Sequence, residues 1–269
     1  MIHKEPCVAR KSTPLANKLD EVKDRIANAA TKAKRDPNEI TLIAVTKTAA
    51  PEQIREAVQL GVADLGESRV QVLTQRAAQM NEYHQRRLAH GDGPAGSGPL
   101  PAKIRWHMIG HLQRNKVKPV LPLVSLIHSI DSLRLAEEID GQAAKLDRRV
   151  PVLMQVNAGE EAQKYGVAVG AAVHLAEQID SMPNLQMVGL MTMAPLEAPE
   201  AKVRQAFSRT REIFEELKWH KIGGTSLRHL SMGMSHDFEL AIAEGATLVR
   251  VGTALFGGKV QDHEMEDEG

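Results

Sequence analysis

The feature that most constrains the fold of this chain is a regular alternation of short apolar runs with longer helical patterns. The apolar runs resemble strands that are buried on both faces, and they cover residues 40–47, 63–66, 104–110, 126–131, 151–157, 186–193, 227–232 and 247–252. Amphipathic patterns separate them, most clearly at 51–60, 132–146, 167–181, 199–217 and 237–244. Eight strands that alternate with helices predict an α/β protein of the (β/α)8 TIM barrel type. A doubly wound open sheet is the alternative.

Outside this alternation lie three further segments. Residues 14–35 repeat apolar residues at helical spacing and predict an extra N-terminal helix. The segment at about 82–102 is rich in Gly, Pro and Ser at its centre and predicts a mobile surface insertion. The acidic tail, 261–269, is predicted to fray. We therefore expect a single domain over residues 1–269, with a core at about 14–258.

The charge and composition of the chain exclude several classes of partner. Lys plus Arg equals Asp plus Glu at 34 each, so we expect no nucleic-acid or membrane-surface partner. The N-terminus has no apolar stretch of signal-peptide length, and no apolar run approaches a membrane span. The one cysteine, Cys7, suits a reducing compartment, and we expect a cytoplasmic protein.

A lysine stands where the first strand ends. Lys47 follows the run 41–46 and precedes Pro51, which suits the first turn of a helix. In parallel α/β folds this edge of the sheet binds ligands. A lysine amine that is partly removed from water there can condense with an aldehyde. An ordinary surface lysine is the other interpretation.

Small and hydroxyl residues follow the seventh and eighth strands. Gly233 and Gly252 would let backbone N–H groups approach an anion, and Ser231, Ser235 and Thr253 would add hydroxyl donors. Phosphate commonly binds at these two loops in TIM barrels. Either cluster alone could consist of ordinary turn residues, but the two on adjacent strands favour a phosphate site.

One charged residue interrupts the last strand. Arg250 shares a strand face with Leu248 and Gly252, so it either points into the barrel and needs a partner or extends outward to water. A lysine, a phosphate site and an arginine at one barrel mouth suggest pyridoxal 5′-phosphate. An arginine beside the pyridine nitrogen would disfavour its protonation and weaken the electron sink.

Seven motifs in this order carry a resemblance to a known family: AVTK, GES-x-VQ, WHMIGHLQRNK, VN-x-GEE-x-x-KYG, GLMTM, LSMGMSHD and VRVGTALFG. The chain resembles the YggS/PROSC family of pyridoxal-phosphate-binding proteins from about residue 15 to 258. The family is similar to the N-terminal barrel of alanine racemase and is regarded as acting in pyridoxal-phosphate homeostasis, without established turnover.

The resemblance implies roles for individual residues. Lys47 would form the Schiff base, and Arg250 would face the pyridine nitrogen. Phosphate would be bound by Gly252 and Thr253, with Ser231, Gly233 and Ser235 nearby. Asn157 and His107 complete the predicted cofactor-binding set, although His107 could instead hydrogen-bond within the barrel core. This chain has Ser68-Arg69 where the family usually has Asn-Tyr.

Two functional classes remain open from the sequence. A carrier would hold pyridoxal phosphate and deliver it, possible recipients being apo-enzymes that require it. A racemase of the alanine racemase type would need a second acid/base group, and the only tyrosines, Tyr83 and Tyr165, are not obviously placed for this. We expect the carrier, as a monomer, with no catalytic residues and no metal.

Overall fold

Eight parallel strands close into a barrel in the order of the sequence. The structure is a computed structural model, and it describes residues 13–90, 100–161 and 163–257. The strands are β1 Thr41–Val45, β2 Asp64–Glu67, β3 Arg105–Met108, β4 Val124–Ile130, β5 Val150–Gln155, β6 Leu185–Met191, β7 His229–Ser231 and β8 Leu248–Val251. The predicted (β/α)8 barrel is confirmed, with a strand at each of the eight predicted runs.

Helices surround the barrel and connect successive strands. They are α1 Pro14–Lys32, α2 Pro51–Gln59, α3 Val70–His90, α4 Val117–Val120, α5 Leu133–Ala144, α6 Ala172–Asp180, α7 Glu200–Trp219, α8 Phe238–Ala243 and α9 Thr253–Phe256. Within the described residues, no helix is both long and apolar enough to cross a membrane.

The alternation of side chains along each strand divides the core into two layers. Strand residues that point outward, such as Trp106, pack against the helices, which contribute Phe207 and Phe238 to the same layer. A smaller apolar cluster fills part of the barrel interior: Ile43, Leu126, Leu153, Val188, Met191 and Leu248. Polar side chains occupy the rest of the interior.

The predicted N-terminal helix is confirmed as α1. Thr13 caps it by accepting a hydrogen bond from the Ala16 N–H at 3.1 Å. Its buried apolar face packs mainly against α8 and α9, the helices that flank the last strand. This packing brings Arg25 beside the C-terminal end of the barrel.

The prediction of a mobile insertion at 82–102 is wrong for its first part, because α3 continues to His90. Leu73, Ala77, Met80 and His84 recur at helical spacing and are all buried, so burial of one face extends the helix. Residues 91–99 and the predicted frayed tail, 261–269, lie outside the described residues. The single domain with its core at about 14–258 stays a prediction.

Candidate functional site at the barrel mouth

Lys47 lies at the C-terminal mouth of the barrel, two residues beyond the end of β1. The residue before it, Thr46, is completely buried, whereas Lys47 is exposed. The Lys47 side chain is therefore accessible to a ligand that enters the mouth.

A buried ion pair fixes the backbone on both sides of Lys47. The Glu67 carboxylate has no solvent exposure and accepts hydrogen bonds from Arg76 Nη1 at 2.7 Å and Thr46 Oγ1 at 2.9 Å. Arg76 also donates to the carbonyl oxygens of Thr46 and Ala49, the latter at 3.0 Å. The Arg76 guanidinium thus holds the short loop that carries Lys47 in place. Arg76 was not predicted from the sequence, because it carries no signal apart from its place on a helix.

The segment Ser68-Arg69, where the sequence departs from the family pattern, also forms hydrogen bonds with Glu67. The second carboxylate oxygen of Glu67 accepts the Ser68 N–H at 2.8 Å and the Arg69 N–H at 3.4 Å. These contacts use backbone N–H groups, so they do not depend on the side chains at 68 and 69.

Donors converge between the ends of β7 and β8. Ser235 Oγ accepts the backbone N–H groups of Gly252 at 3.3 Å and Ala254 at 3.4 Å, both long for hydrogen bonds. A recess of about 380 Å³ opens here, lined by Arg25, Ser235, His236, Thr253 and Ala254. Backbone N–H groups, hydroxyls and a guanidinium around one recess suit a phosphate group. The structure thus brings together Ser235, Gly252 and Thr253 as predicted.

Ser235 precedes α8, which begins at Phe238 with Asp237 at the cap position. Arg25 was not predicted to line the site, because it belongs to α1, far away in sequence. The guanidinium of Arg25 forms an ion pair with Glu239 at 2.6 Å.

The recess adjoins the loop that carries Lys47. Strands β1 and β8 are neighbours, with Ala44 opposite Val251. A Cβ atom built on Gly252 would lie 3.3 Å from both Cβ and the carbonyl oxygen of Val45. Any larger residue at 252 would press on the end of β1 just before Lys47.

Gly233 serves packing and backbone geometry. Its φ of +91° is rarely adopted by residues with a side chain, and a Cβ here would lie 2.6 Å from the Cβ of Ala241 in α8. Its carbonyl oxygen accepts the Arg250 N–H at 3.0 Å. Gly233 thus allows α8 to approach the end of β7.

Arg250 points into the barrel, as one of the two interpretations predicted, and only 4% of its surface is exposed. Its guanidinium donates to Ser231 Oγ at 2.6 Å and to the carbonyl oxygen of Thr192 at 2.9 Å. Burial lowers its pKa to about 10, partly opposed by the charge of Asp237. The group therefore remains a cation at neutral pH, and no carboxylate among the described residues forms an ion pair with it.

The side chains of two predicted residues are engaged away from the recess at Ser235. His107 lies in the barrel core, where its ring bonds to His128 and Asp64, and it lines a cavity of about 290 Å³ at the N-terminal end of the barrel. The side-chain amide of Asn157 bonds to the backbone of its own loop, donating to the Glu161 carbonyl oxygen at 2.8 Å. His107 is therefore corrected to a core residue, consistent with its alternative interpretation, and Asn157 shapes the loop after β5.

A pair of aromatic rings at the mouth was not predicted. His111, just past β3, stacks on Tyr165, from the loop after β5, with ring centroids 3.9 Å apart. The Nδ1 atom of His111 lies 3.1 Å from a carboxylate oxygen of Asp131. Only the tertiary structure shows this contact, because the three residues come from three different loops.

Comparison with known proteins identifies the family. The family described as alanine racemase, N-terminal domain, matches residues 15–260. A pyridoxal phosphate homeostasis protein of Aquifex aeolicus is 41% identical over 241 residues, covering 89% of this chain and 96% of the relative. The namesake of Escherichia coli K12 is 34% identical over 245 residues, covering 91% and 97%. This chain belongs to the pyridoxal phosphate homeostasis protein family.

A solved structure of similar sequence supports the membership. PipY of Synechococcus elongatus, solved with PLP bound, is 33% identical, with a TM-score of 0.71, and the match covers 88% of this chain and all of PipY. Alanine racemase of Clostridium difficile is only 13% identical, with a TM-score of 0.63, and therefore shows the shared fold alone. The family resemblance noted in the sequence is confirmed.

Proposed function

We propose that this protein binds pyridoxal 5′-phosphate at the barrel mouth and acts in the homeostasis of that cofactor. The observation that carries the proposal is the adjacency of the loop that bears the exposed Lys47 to the N–H groups of Gly252 and Ala254 beside Ser235. The names of the curated relatives and the PLP-bound PipY structure support the choice of cofactor.

The residues fit the parts of this cofactor. The Lys47 amine would bind the aldehyde carbon, and the recess at Ser235, Gly252 and Thr253 would bind the phosphate. Arg250 would face the pyridine ring from the barrel interior, with Ser231 holding its guanidinium. When bound, the cofactor supplies an aldehyde that condenses with amines and a ring that withdraws electrons.

We expect Gly252→Val to weaken the binding of pyridoxal 5′-phosphate at least tenfold, about 1.4 kcal/mol, because a branched side chain would displace the backbone donors. Titration followed by absorbance measures the dissociation constant. Gly141→Val is the matched control, since a Cβ at this exposed helical position meets nothing within 4 Å.

Pyridoxal, which lacks the phosphate, tests the same recess through a change in the ligand instead of a change in the protein. It should bind poorly to the wild type and respond little to Gly252→Val. Equal affinity of the wild type for both vitamers would contradict a phosphate site at this recess.

A racemase is the second candidate, and the His111–Tyr165 stack at the mouth is the observation in its favour, because both side chains can transfer protons. We favour a protein without turnover because Arg250 offers the pyridine nitrogen a cation and no carboxylate. A guanidinium cannot accept the proton that would strengthen the electron sink.

We therefore expect no racemic product when L- or D-alanine is added to the cofactor-loaded protein. Chiral chromatography of the amino acid over time measures this. Racemisation at ordinary enzyme rates, roughly 1 per second or above, would overturn the proposal of a protein without turnover.

We also propose that the protein is a cytoplasmic monomer that passes the cofactor to apo-enzymes. Transfer should activate an apo-enzyme that requires pyridoxal phosphate when only the loaded protein is present. Light scattering on the eluting protein tests the monomer.

A further inference from the structure

A continuous chain of polar side chains crosses the barrel interior, from its N-terminal cavity to Arg250. Its contacts are Asp64 Oδ1 to His107 Nε2 at 3.0 Å, His107 Nδ1 to His128 Nε2 at 2.9 Å, and His128 Nδ1 to Ser231 Oγ at 2.9 Å. The last contact is Arg250 Nη1 to Ser231 Oγ at 2.6 Å. All five residues are buried, at 6% exposure or less, and we call them the polar chain.

The two ends of the polar chain set the direction of every hydrogen bond within it. Arg250 can only donate, and the ionised carboxylate of Asp64 can only accept. The Ser231 oxygen therefore accepts from Arg250, and its hydroxyl donates to Nδ1 of His128. In the same direction, Nε2–H of His128 donates to His107, and Nε2–H of His107 donates to Asp64. The network thus assigns one tautomer to each ring.

The opposite direction leaves polar atoms unpaired. If Nδ1–H of His128 donated to Ser231, the serine proton would lose its acceptor in a buried position. Nε2 of His107 would then face Asp64 without a proton to share. A buried polar group without a partner costs about 1–3 kcal/mol, so the first direction is strongly preferred.

The electrostatic environment agrees with a neutral ring at His128. Burial lowers the pKa of His128 well below its usual value, and positive charge on His107, Arg250 or His229 lowers it further. Burial alone would raise the pKa of Asp64, but hydrogen bonds from His107 and Arg105 outweigh it and lower this pKa. Arg105 pairs with Asp64 at 2.5 Å, at the N-terminal end of the barrel.

We propose that His128 and His107, anchored by Asp64, are positioning residues that hold Arg250 against the cofactor ring through Ser231. The inference rests on the proposed function, since it assigns the chain's role relative to bound pyridoxal phosphate. The polar chain fixes the Ser231 hydroxyl as an acceptor for Arg250, so the guanidinium has one orientation. Arg250 reaches no carboxylate by an ion pair among the described residues, so this serine and the Thr192 carbonyl oxygen are what orient it.

The test replaces His128 with leucine and with asparagine and compares both with wild type. Leucine removes the acceptor of the Ser231 hydroxyl, whereas the asparagine side-chain oxygen can replace Nδ1. The matched control is His229→Leu, which changes a half-buried histidine of β7 that bonds to Thr247 and lies outside the polar chain. Unfolding in urea shows whether each variant folds.

Two readouts are used: the dissociation constant for pyridoxal 5′-phosphate and the chemical shift of its ring nitrogen, labelled with ¹⁵N. A role that is merely structural would not move the ring-nitrogen signal of the bound cofactor. We expect His128→Leu to shift this signal and to raise the dissociation constant about tenfold. His128→Asn should lie closer to wild type, and His229→Leu should match it.

The outcomes separate this inference from the proposed function. If wild type binds the cofactor and His128→Leu folds with an unchanged ring-nitrogen signal, the positioning role is overturned. If His128→Leu does not fold, Asp64→Leu, which removes the acceptor of the His107 Nε2–H, takes its place, and an unchanged signal there also overturns the role. If wild type does not bind pyridoxal 5′-phosphate at all, the proposed function itself has failed, and the inference with it.

Discussion

Replacing Lys47 with alanine should abolish the covalent attachment of pyridoxal 5′-phosphate that borohydride makes permanent. Among the residues that the structure describes, the amine of Lys47 would be the only group at the recess that bonds to the aldehyde, so its removal should eliminate labelling rather than weaken it. The fold should persist, because the side chain is exposed and contributes little to the core. Mass spectrometry after borohydride reduction measures the label, and peptide mapping locates it.

Lys164 provides the matched control for this experiment. It also follows a barrel strand, but its amine bonds to Glu161 at 2.6 Å and to the Ala194 carbonyl oxygen at 3.1 Å. Lys164→Ala should therefore retain full labelling. A pyridoxyl group mapped to Lys116 or Lys164 in the wild type would contradict the assignment to Lys47.

The second large effect concerns the ion pair beneath the Lys47 loop. Arg76→Met would leave the Glu67 carboxylate fully buried without its cation, and we expect the free energy of unfolding to fall by about 3 kcal/mol, the lower end for a broken buried pair. The carbonyl oxygens of Thr46 and Ala49 would lose their donor as well, so the loop should loosen and cofactor binding should weaken. Urea unfolding measures the first effect.

Two variants test the explanation for that loss. Adding Glu67→Gln to Arg76→Met removes the unpaired charge and should recover part of the stability. Arg204→Met breaks solvent-accessible ion pairs with Glu200 at 2.8 Å and Glu244 at 3.7 Å, and Glu244 keeps Arg211 at 3.3 Å, so stability should change by no more than about 0.5–1 kcal/mol. If Arg76→Met costs no more than Arg204→Met, the buried pair is not what holds the loop.

The amount that sequence alone could predict differs between the barrel and its insertion. Strand positions follow from local runs that are mostly apolar, because a strand buried on both faces carries few polar residues, and all eight were found. The helical continuation through residues 82–90 was not predicted, because the Gly- and Pro-rich centre of the segment outweighed the helical spacing of the buried positions in α3. The spacing of Met80 and His84 carried the signal that could have corrected it.

For the site, the sequence determined which strand ends bear reactive and anion-binding groups. Lys47, Ser235, Gly252 and Thr253 were placed correctly at the mouth, because the carboxyl ends of parallel strands meet at one edge of a barrel. Family motifs then named the cofactor those groups would bind. These groups can be recognised from the sequence because their residue types are unusual directly after apolar runs.

Only the tertiary structure decided which side chains touch one another across the barrel. Arg76 beneath Lys47, Arg25 at the recess and the polar chain from Asp64 to Arg250 join residues far apart in sequence. Periodicity shows that a histidine on β3 faces inward, but not that its partner is His128 on β4 or that the line of bonds ends at Arg250. Strand register and barrel closure set the distances between these side chains. A change of less than an ångström in such a distance decides whether a hydrogen bond forms.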